Sequence, residues 1–473
     1  MENTQDIKIS YETLWKFIIR PPRDDYTQSM LGSKSFTYRK KKYYRKDYEI
    51  MSTQGYMMKC SFIEPLPQYR PSIEMPVVLY LHGNSSSRLE GLNMAGELLK
   101  RDINLFVIDF IGCGLSEGEY ISLGYHESHD VENVINFIEK IPGVGNIGLW
   151  GRSMGAATTM IYSHRDNRVK AICLDSPFAD FARLAKELTL KQINLPGFLV
   201  SGVLSIVRST ILKKNGLDID KLKPIDMAEK TFQPAIFIHA INDELINVQH
   251  TLDLFNKYGG QEKSLKCCDK GGHNTRRSSM IVNEIGEFFK KYLFQSEETK
   301  GNEFNNTIIN NNSIYEKIDN SYINKSNNSN IKKNENEKFS RRSSMEEEEP
   351  FNDKTIERIE YYKKKEEMDK NQMNKIQTLL KSMRQPEIQK AFNNNIKNNE
   401  SNNNNIKNNY IKNNDDNNIK NTDKNKKLEY KINNNIIKKN INNINVNKNF
   451  DIKNSNINFN NWKNGGKMNN NNH

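Results

Sequence analysis

The chain has 473 residues and a formal net charge of +12, but its composition changes near residue 296, so whole-chain averages describe neither part. Residues 1–296 hold 38 basic against 34 acidic side chains, a balance that argues against a nucleic-acid-binding domain. The five cysteines are odd in number and lack a CxxC spacing, which argues against a disulfide framework or a metal site, and no cofactor is expected.

The start of the chain has no secretory pattern, and the longest apolar stretch, 198–207, is about half the roughly 20 residues of a membrane-spanning helix. A cytoplasmic protein is expected. In chain order, residues 43–52 and 56–64 read as a hairpin around Gln54-Gly55. Residues 77–81 form a wholly apolar strand, followed by a helix over 89–99. The next strand, 105–109, leads through a glycine-rich loop to a helix carrying Val131, Val134, Ile135 and Ile138 at helical spacing. A strand at 147–150 precedes a helix of small residues at 154–162. Strands at 171–174, 235–240 and 264–267 follow, and an amphipathic helix at 281–293 closes the series. This alternation predicts an α/β fold, a mostly parallel sheet flanked by helices. The gap between residues 174 and 235 far exceeds a normal loop, so an inserted helical cap is expected at about 176–230. Its apolar pieces, 195–200 and 203–207, would lie over the carboxyl edge of the sheet, where ligands of such folds bind.

Within this framework Gly151-Arg152-Ser153-Met154-Gly155 fits the G-x-S-x-G nucleophile elbow, between a strand and a helix. Glycines two residues either side of the serine let neighbouring backbones pass close to a sharp turn. A serine hydroxyl needs a neutral histidine to take its proton and a carboxylate to hold that histidine's tautomer. His273, in Gly271-Gly272-His273-Asn274, and Asp243, after the strand at 235–240, supply them in the order Ser, Asp, His. Asp175, at the end of the strand after the nucleophile helix, is the rival acid. His239 reads as a core or neighbouring structural residue, and His126, His129, His164 and His250 fall on predicted helices. Leu81-His82-Gly83-Asn84 follows the first buried strand, so the backbone N–H groups of Asn84 and Met154 are the candidate oxyanion donors. The cluster Gly112-Cys113-Gly114 departs from a dinucleotide loop at Glu117, which stands where the third glycine belongs.

With these residues assembled, the chain resembles the α/β-hydrolase superfamily, in the branch of serine-aminopeptidase-like, monoacylglycerol-lipase-like and ABHD-type proteins. The segments Asp109 through Gly118, Ser122-Leu123-Gly124-Tyr125, Asp175-Ser176-Pro177-Phe178 and His239-Ala240-Ile241-Asn242-Asp243 carry the resemblance beyond the triad. It implies Asp243 as the acid and a small-molecule or acylated substrate, cleaved at an ester, thioester or amide. The main expectation is an acyl esterase or thioesterase. A serine aminopeptidase is the alternative, and a non-catalytic scaffold on a hydrolase fold is the reading of another class.

Residues 297–473 are rich in Asn and Lys and too poor in apolar surface to offset the entropy of ordering, so 1–296 is expected to be the folded domain and the tail mostly disordered. Within it, 355–392 alone has helical spacing, which reads first as a transient helix in a disordered chain and second as a partner-binding helix with no partner named. Arg341-Arg342-Ser343-Ser344 and Arg276-Arg277-Ser278-Ser279 resemble basophilic kinase sites. The run 39–46 suggests either peripheral contact with anionic lipid or a charged guard on an edge strand.

Overall fold

The computed structural model describes residues 15–192 and 197–294, together with Glu360, Tyr361, Lys363–Lys365, Glu367, Asn371 and Asn374; side chains at 189–204 and at 206 lie outside the description. Contacts divide the chain into residues 8–393 and a second unit of 1–7 with 394–473, and every described residue belongs to the first.

The strands are β1 (Ser35–Tyr38), β2 (Lys41–Met51), β3 (Met57–Pro65), β4 (Met75–Leu81), β5 (Asn104–Ile108), β6 (Val144–Arg152), β7 (Val169–Asp175), β8 (Ala235–Ala240) and β9 (Lys263–Cys268). They form one sheet in the order β1-β2-β3-β5-β4-β6-β7-β8-β9. The β1–β2, β2–β3 and β3–β5 pairs are antiparallel, and all pairs from β5 to β9 are parallel. Helices α1 (Arg88–Leu92), α2 (Ala95–Leu99), α3 (Glu127–Ile138), α4 (Met154–Ser163), α8 (Val248–Lys257) and α9 (Ser279–Leu293) follow individual strands, while α5 (Phe181–Gln192), α6 (Gly197–Asn215) and α7 (Ile225–Ala228) fill the interval between β7 and β8.

Period-two alternation along buried strands divides the core between the two faces of the sheet. In β4, Val77, Leu79 and Leu81 join the cluster that packs under α3 and α4, whereas Val78 and Tyr80 join the one under α1, α2 and α9. Both faces are covered, which is why the central strands read as continuous apolar runs. In the interval between β7 and β8, Phe181, Leu184, Val207, Ile211 and Leu217 are buried in the first cluster. Of the apolar pieces expected at 195–200 and 203–207, only Ser205 and Val207 have described side chains.

One local expectation is corrected. The single helix expected over 89–99 is broken into α1 and α2 at Asn93-Met94. Gly91 allows the reason: a Cβ there would press into Tyr80 and Val107, so α1 lies directly on β4 and β5 and the chain must turn to keep Ala95, Leu98 and Leu99 buried as well. The short β1 pairs with β2 through a turn in which Arg39 and Lys40 both have positive φ. Much of the basic run that follows is paired locally. The buried Arg45 donates to the carbonyls of Leu31 and Gly32 and to Asp47, Lys41 meets Asp102 at 2.5 Å, and Lys46 meets Glu64 at 2.7 Å. Among the described residues no helix is long and apolar enough to cross a membrane.

From the segment expected to be helical at 355–392, Tyr361 packs against the second core cluster and donates its hydroxyl to Asp24, while Lys365 Nζ lies 3.0 Å from the same carboxylate. Asp24 also accepts from Ser87 Oγ, the residue that caps α1. The run Arg341-Arg342-Ser343-Ser344 lies outside the described residues.

Candidate active site

The candidate residues gather at the carboxyl ends of the parallel strands. Ser153 stands between β6 and α4 with φ +51° and ψ −114°, a backbone conformation that L residues rarely adopt. Its N–H donates to the carbonyl of Asp175 at 2.8 Å, and its own carbonyl accepts from Ala157 at 3.0 Å, so both sides of the turn are fixed. The flanking glycines are required by contact. A Cβ on Gly151 would run into the carbonyl of Gly155, and one on Gly155 into the carbonyls of Leu81 and His82.

His273 Nε2 lies 3.0 Å from Ser153 Oγ, and His273 Nδ1 lies 2.7 Å from Asp243 Oδ2. A carboxylate at Nδ1 holds the ring proton there, leaving the Nε2 lone pair toward the serine hydroxyl. The other Asp243 oxygen accepts from the N–H groups of Leu245 and Ile246 at 2.9 and 2.8 Å. Burial alone would raise the Asp243 carboxyl. The hydrogen bond and charge of His273, with His239 and the Ile246 N–H, outweigh it and hold Asp243 below its ordinary value. His273 is itself held through its N–H, which donates to Glu244 at 3.1 Å.

Asp175 is placed differently. Both of its oxygens meet Arg277, at 2.7 to 3.1 Å, and burial, which would raise its pKa, is overcome by the charges of Arg277 and Arg152. The Arg276-Arg277-Ser278-Ser279 run therefore has a structural use, since Arg277 holds Asp175 and Ser278 caps α9. His239 is buried, with Nδ1 against Thr251 Oγ1 at 2.7 Å and Nε2 against the Ile246 carbonyl at 2.9 Å. His250 is also buried, accepting from Ala179 N–H on one side and facing Glu187 on the other.

The loop after β4 runs against the elbow. A Cβ on Gly83 would lie 3.7 Å from Ser153 Cβ. The backbone N–H groups of Asn84 and Met154 have no hydrogen-bond acceptor among the described residues. His82 orients this loop. Its Nε2 accepts from the Phe110 N–H at 3.0 Å, which puts the proton on Nδ1, 2.7 Å from the Gly83 carbonyl.

A family model for the alpha/beta hydrolase fold matches residues 76–199, the stretch from β4 through the elbow into the cap. Over that stretch the chain matches the α/β-hydrolase superfamily. Hydrolysis is the class of reaction that goes with this match. The chain is 27% identical over 229 residues to the uncharacterized protein YqkD of Bacillus subtilis, covering 48% of this chain and 72% of that one. It is 27% identical over 193 residues to the lysophosphatidylserine lipase ABHD12 of Xenopus tropicalis, covering 39% of this chain and 47% of that protein. Among solved structures, the Pyrococcus furiosus esterase Pf2001 is 20% identical with a TM-score of 0.44, covering 58% of this chain and 99% of that one.

Three residues with a part in this site escaped the sequence. Arg277 is separated from Asp175 by 102 positions, and Arg152 and Glu90, which meet at 3.0 Å, by 62. Ion pairs so distant leave no local spacing to read. Glu90 carries the nearest thing to a signal, a carboxylate in the first turn of a short helix that opens just after a histidine-glycine loop.

Proposed function

We propose that this hydrolase cleaves an ester or thioester of acyl type through a covalent acyl-enzyme on Ser153. The observation that carries the reading is the unbroken hydrogen-bonded chain from Ser153 Oγ through His273 to Asp243. In the first step Ser153 Oγ bonds to the carbonyl carbon while its proton passes to His273 Nε2, and Asp243 stabilises the imidazolium. The carbonyl electrons move onto oxygen, where the N–H groups of Asn84 and Met154 are the proposed donors, each worth about 3 to 4 kcal/mol in comparable sites. Collapse expels the alcohol or thiol, which takes the proton from His273. Water then repeats the sequence with His273 as base, releasing the acid and restoring the serine.

An aminopeptidase would need a free carboxylate to hold the substrate's amino group. The acidic residues of the cap interval are largely committed. Glu187 meets Arg183 at 2.7 Å and His250 at 3.2 Å, and Asp218 and Asp220 both meet Arg208. Asp226 is exposed on α7. This favours the ester reading, as does the similarity to ABHD12, a lysophosphatidylserine lipase.

Each methylene taken from water contributes about 0.8 kcal/mol, so an acyl pocket should raise specificity several-fold per carbon until it is full. A series of p-nitrophenyl esters from acetate upward tests this. Rising kcat/KM with chain length is the expected result. A flat series together with faster cleavage of aminoacyl amides would transfer the assignment to a peptidase, and no turnover of either class would favour the scaffold reading.

A further inference from the structure

Between the oxyanion loop, the elbow and the histidine loop lies one ion pair that binds all three. Arg152, the residue before Ser153, donates from Nη1 to Glu90 Oε1 at 3.0 Å and from Nη2 to the carbonyl of His273 at 2.8 Å and that of Thr275 at 3.3 Å. Glu90, on α1, uses its other oxygen to accept from the N–H of Gly83 at 3.0 Å. Gly83 in turn packs against Ser153 and precedes Asn84. Both side chains are mostly buried, 16% and 13% exposed, so solvent screens the pair far less than a surface contact.

The chemistry proposed above needs three groups in place together: the Ser153 hydroxyl, the His273 ring and the N–H of Asn84. They come from three loops that share no strand. A guanidinium suits this junction because its planar fork can serve a carboxylate and a carbonyl at fixed angles, which an ammonium cannot. Burial would raise the Glu90 carboxyl, yet Arg152 and the Gly83 N–H hold it down, so Glu90 stays charged to serve both partners.

Resting on the hydrolase reading, we propose that Arg152 and Glu90 are positioning residues that lock the oxyanion loop to the loop of His273 across the nucleophile. Neither touches the reacting atoms. Loss of either leaves the triad chemically complete but lets Asn84 and His273 move relative to Ser153. A misplacement of about 1 Å is enough to cost on the order of a hundredfold in rate.

The test measures kcat, KM and Tm for Glu90→Gln, Arg152→Gln and the double variant in the full chain with p-nitrophenyl acetate. The expected result is a fall in kcat of about 10- to 100-fold with KM within about threefold in each single variant, and a double variant no worse than the poorer single one. Affinity for a trifluoromethyl ketone, which forms a tetrahedral adduct on serine, should fall in parallel with kcat. Unaltered kcat in the singles, or losses that multiply in the double, overturns the inference. If Arg152→Gln does not fold, Arg152→Lys replaces it: lowered kcat at parental Tm supports the lock, and parental kcat overturns it. A parent protein that neither turns over the ester nor forms the adduct removes the hydrolase reading and this inference together. An active parent with unimpaired variants removes this inference alone.

Discussion

Arg277 engages both oxygens of Asp175, at 2.7 and 2.9 Å from Oδ1 alone, while His273 turns its Nδ1 to Asp243 at 2.7 Å. The two carboxylates at neighbouring strand ends thus have different partners. Asp243→Asn should lower kcat by up to about ten-thousand-fold with little loss of Tm, because the ring tautomer and the imidazolium lose their support. Asp175→Asn should do the reverse, destabilising by roughly 3 to 5 kcal/mol through an uncompensated buried Arg277 while leaving turnover per folded molecule near that of the parent. Kinetics and thermal melts on the two variants, with active-site titration to count folded enzyme, decide it; the opposite ranking assigns the orienting role to Asp175.

The strained turn at Ser153 gives a second expectation. With φ +51°, the residue stores a conformational cost that only a side chain incurs. Ser153→Gly and Ser153→Ala both remove the hydroxyl, so their difference isolates the backbone. The glycine variant should be the more stable by about 1 kcal/mol after the flexibility it adds to the unfolded chain is counted. Equal melting temperatures would mean the turn is not strained.

Much of this architecture is legible in the sequence, and the exceptions have physical causes. The strand at 235–240 has the bounds expected of it because a run buried on both faces is apolar but for the hydrogen-bonded His239, and Pro234 and Asn242-Asp243 bracket it. The elbow is readable because its serine and both glycines stand within one pentapeptide, although the contact that requires Gly155 comes from the distant carbonyls of Leu81 and His82. By contrast, β1 is a four-residue edge strand with only Tyr38 buried, too short and too polar to show a period. The cross-chain ion pairs of Arg277 and Arg152 depend on which strands become neighbours, information that no local pattern contains.

Asp130 offers a pH test away from the site. Burial pushes its carboxyl up to about 6, against the hydrogen bonds it accepts from the Thr53 N–H and hydroxyl. Because the folded value lies above the unfolded one, the native state holds the extra proton. Ionisation therefore costs stability, progressively from about pH 4 to pH 6 and fully above that. Relative to the parent, Asp130→Asn should gain about 2 to 3 kcal/mol between pH 4 and pH 7. Urea unfolding at the two pH values measures this; a stability difference independent of pH would show that Asp130 ionises normally in the fold.

Contacts of Tyr361 and Lys365 with Asp24 bear on the tail. Ending the chain at residue 296 removes both partners from a carboxylate whose side chain is 1% exposed, whereas ending it at 393 keeps them. The shorter chain should melt lower by on the order of 2 to 4 °C, the longer one at the temperature of the full chain. Identical melts for all three chains would show that the contact contributes nothing to stability.

The proposed chemistry requires an activated Ser153, which covalent labelling by a fluorophosphonate reports. An ordinary serine hydroxyl does not react, whereas one whose proton can pass to a neutral histidine does. A single adduct on Ser153 is expected in the folded full-length protein, absent from Ser153→Ala and formed far more slowly in His273→Ala. Absence of labelling in the folded parent, or an adduct that survives Ser153→Ala, would contradict it.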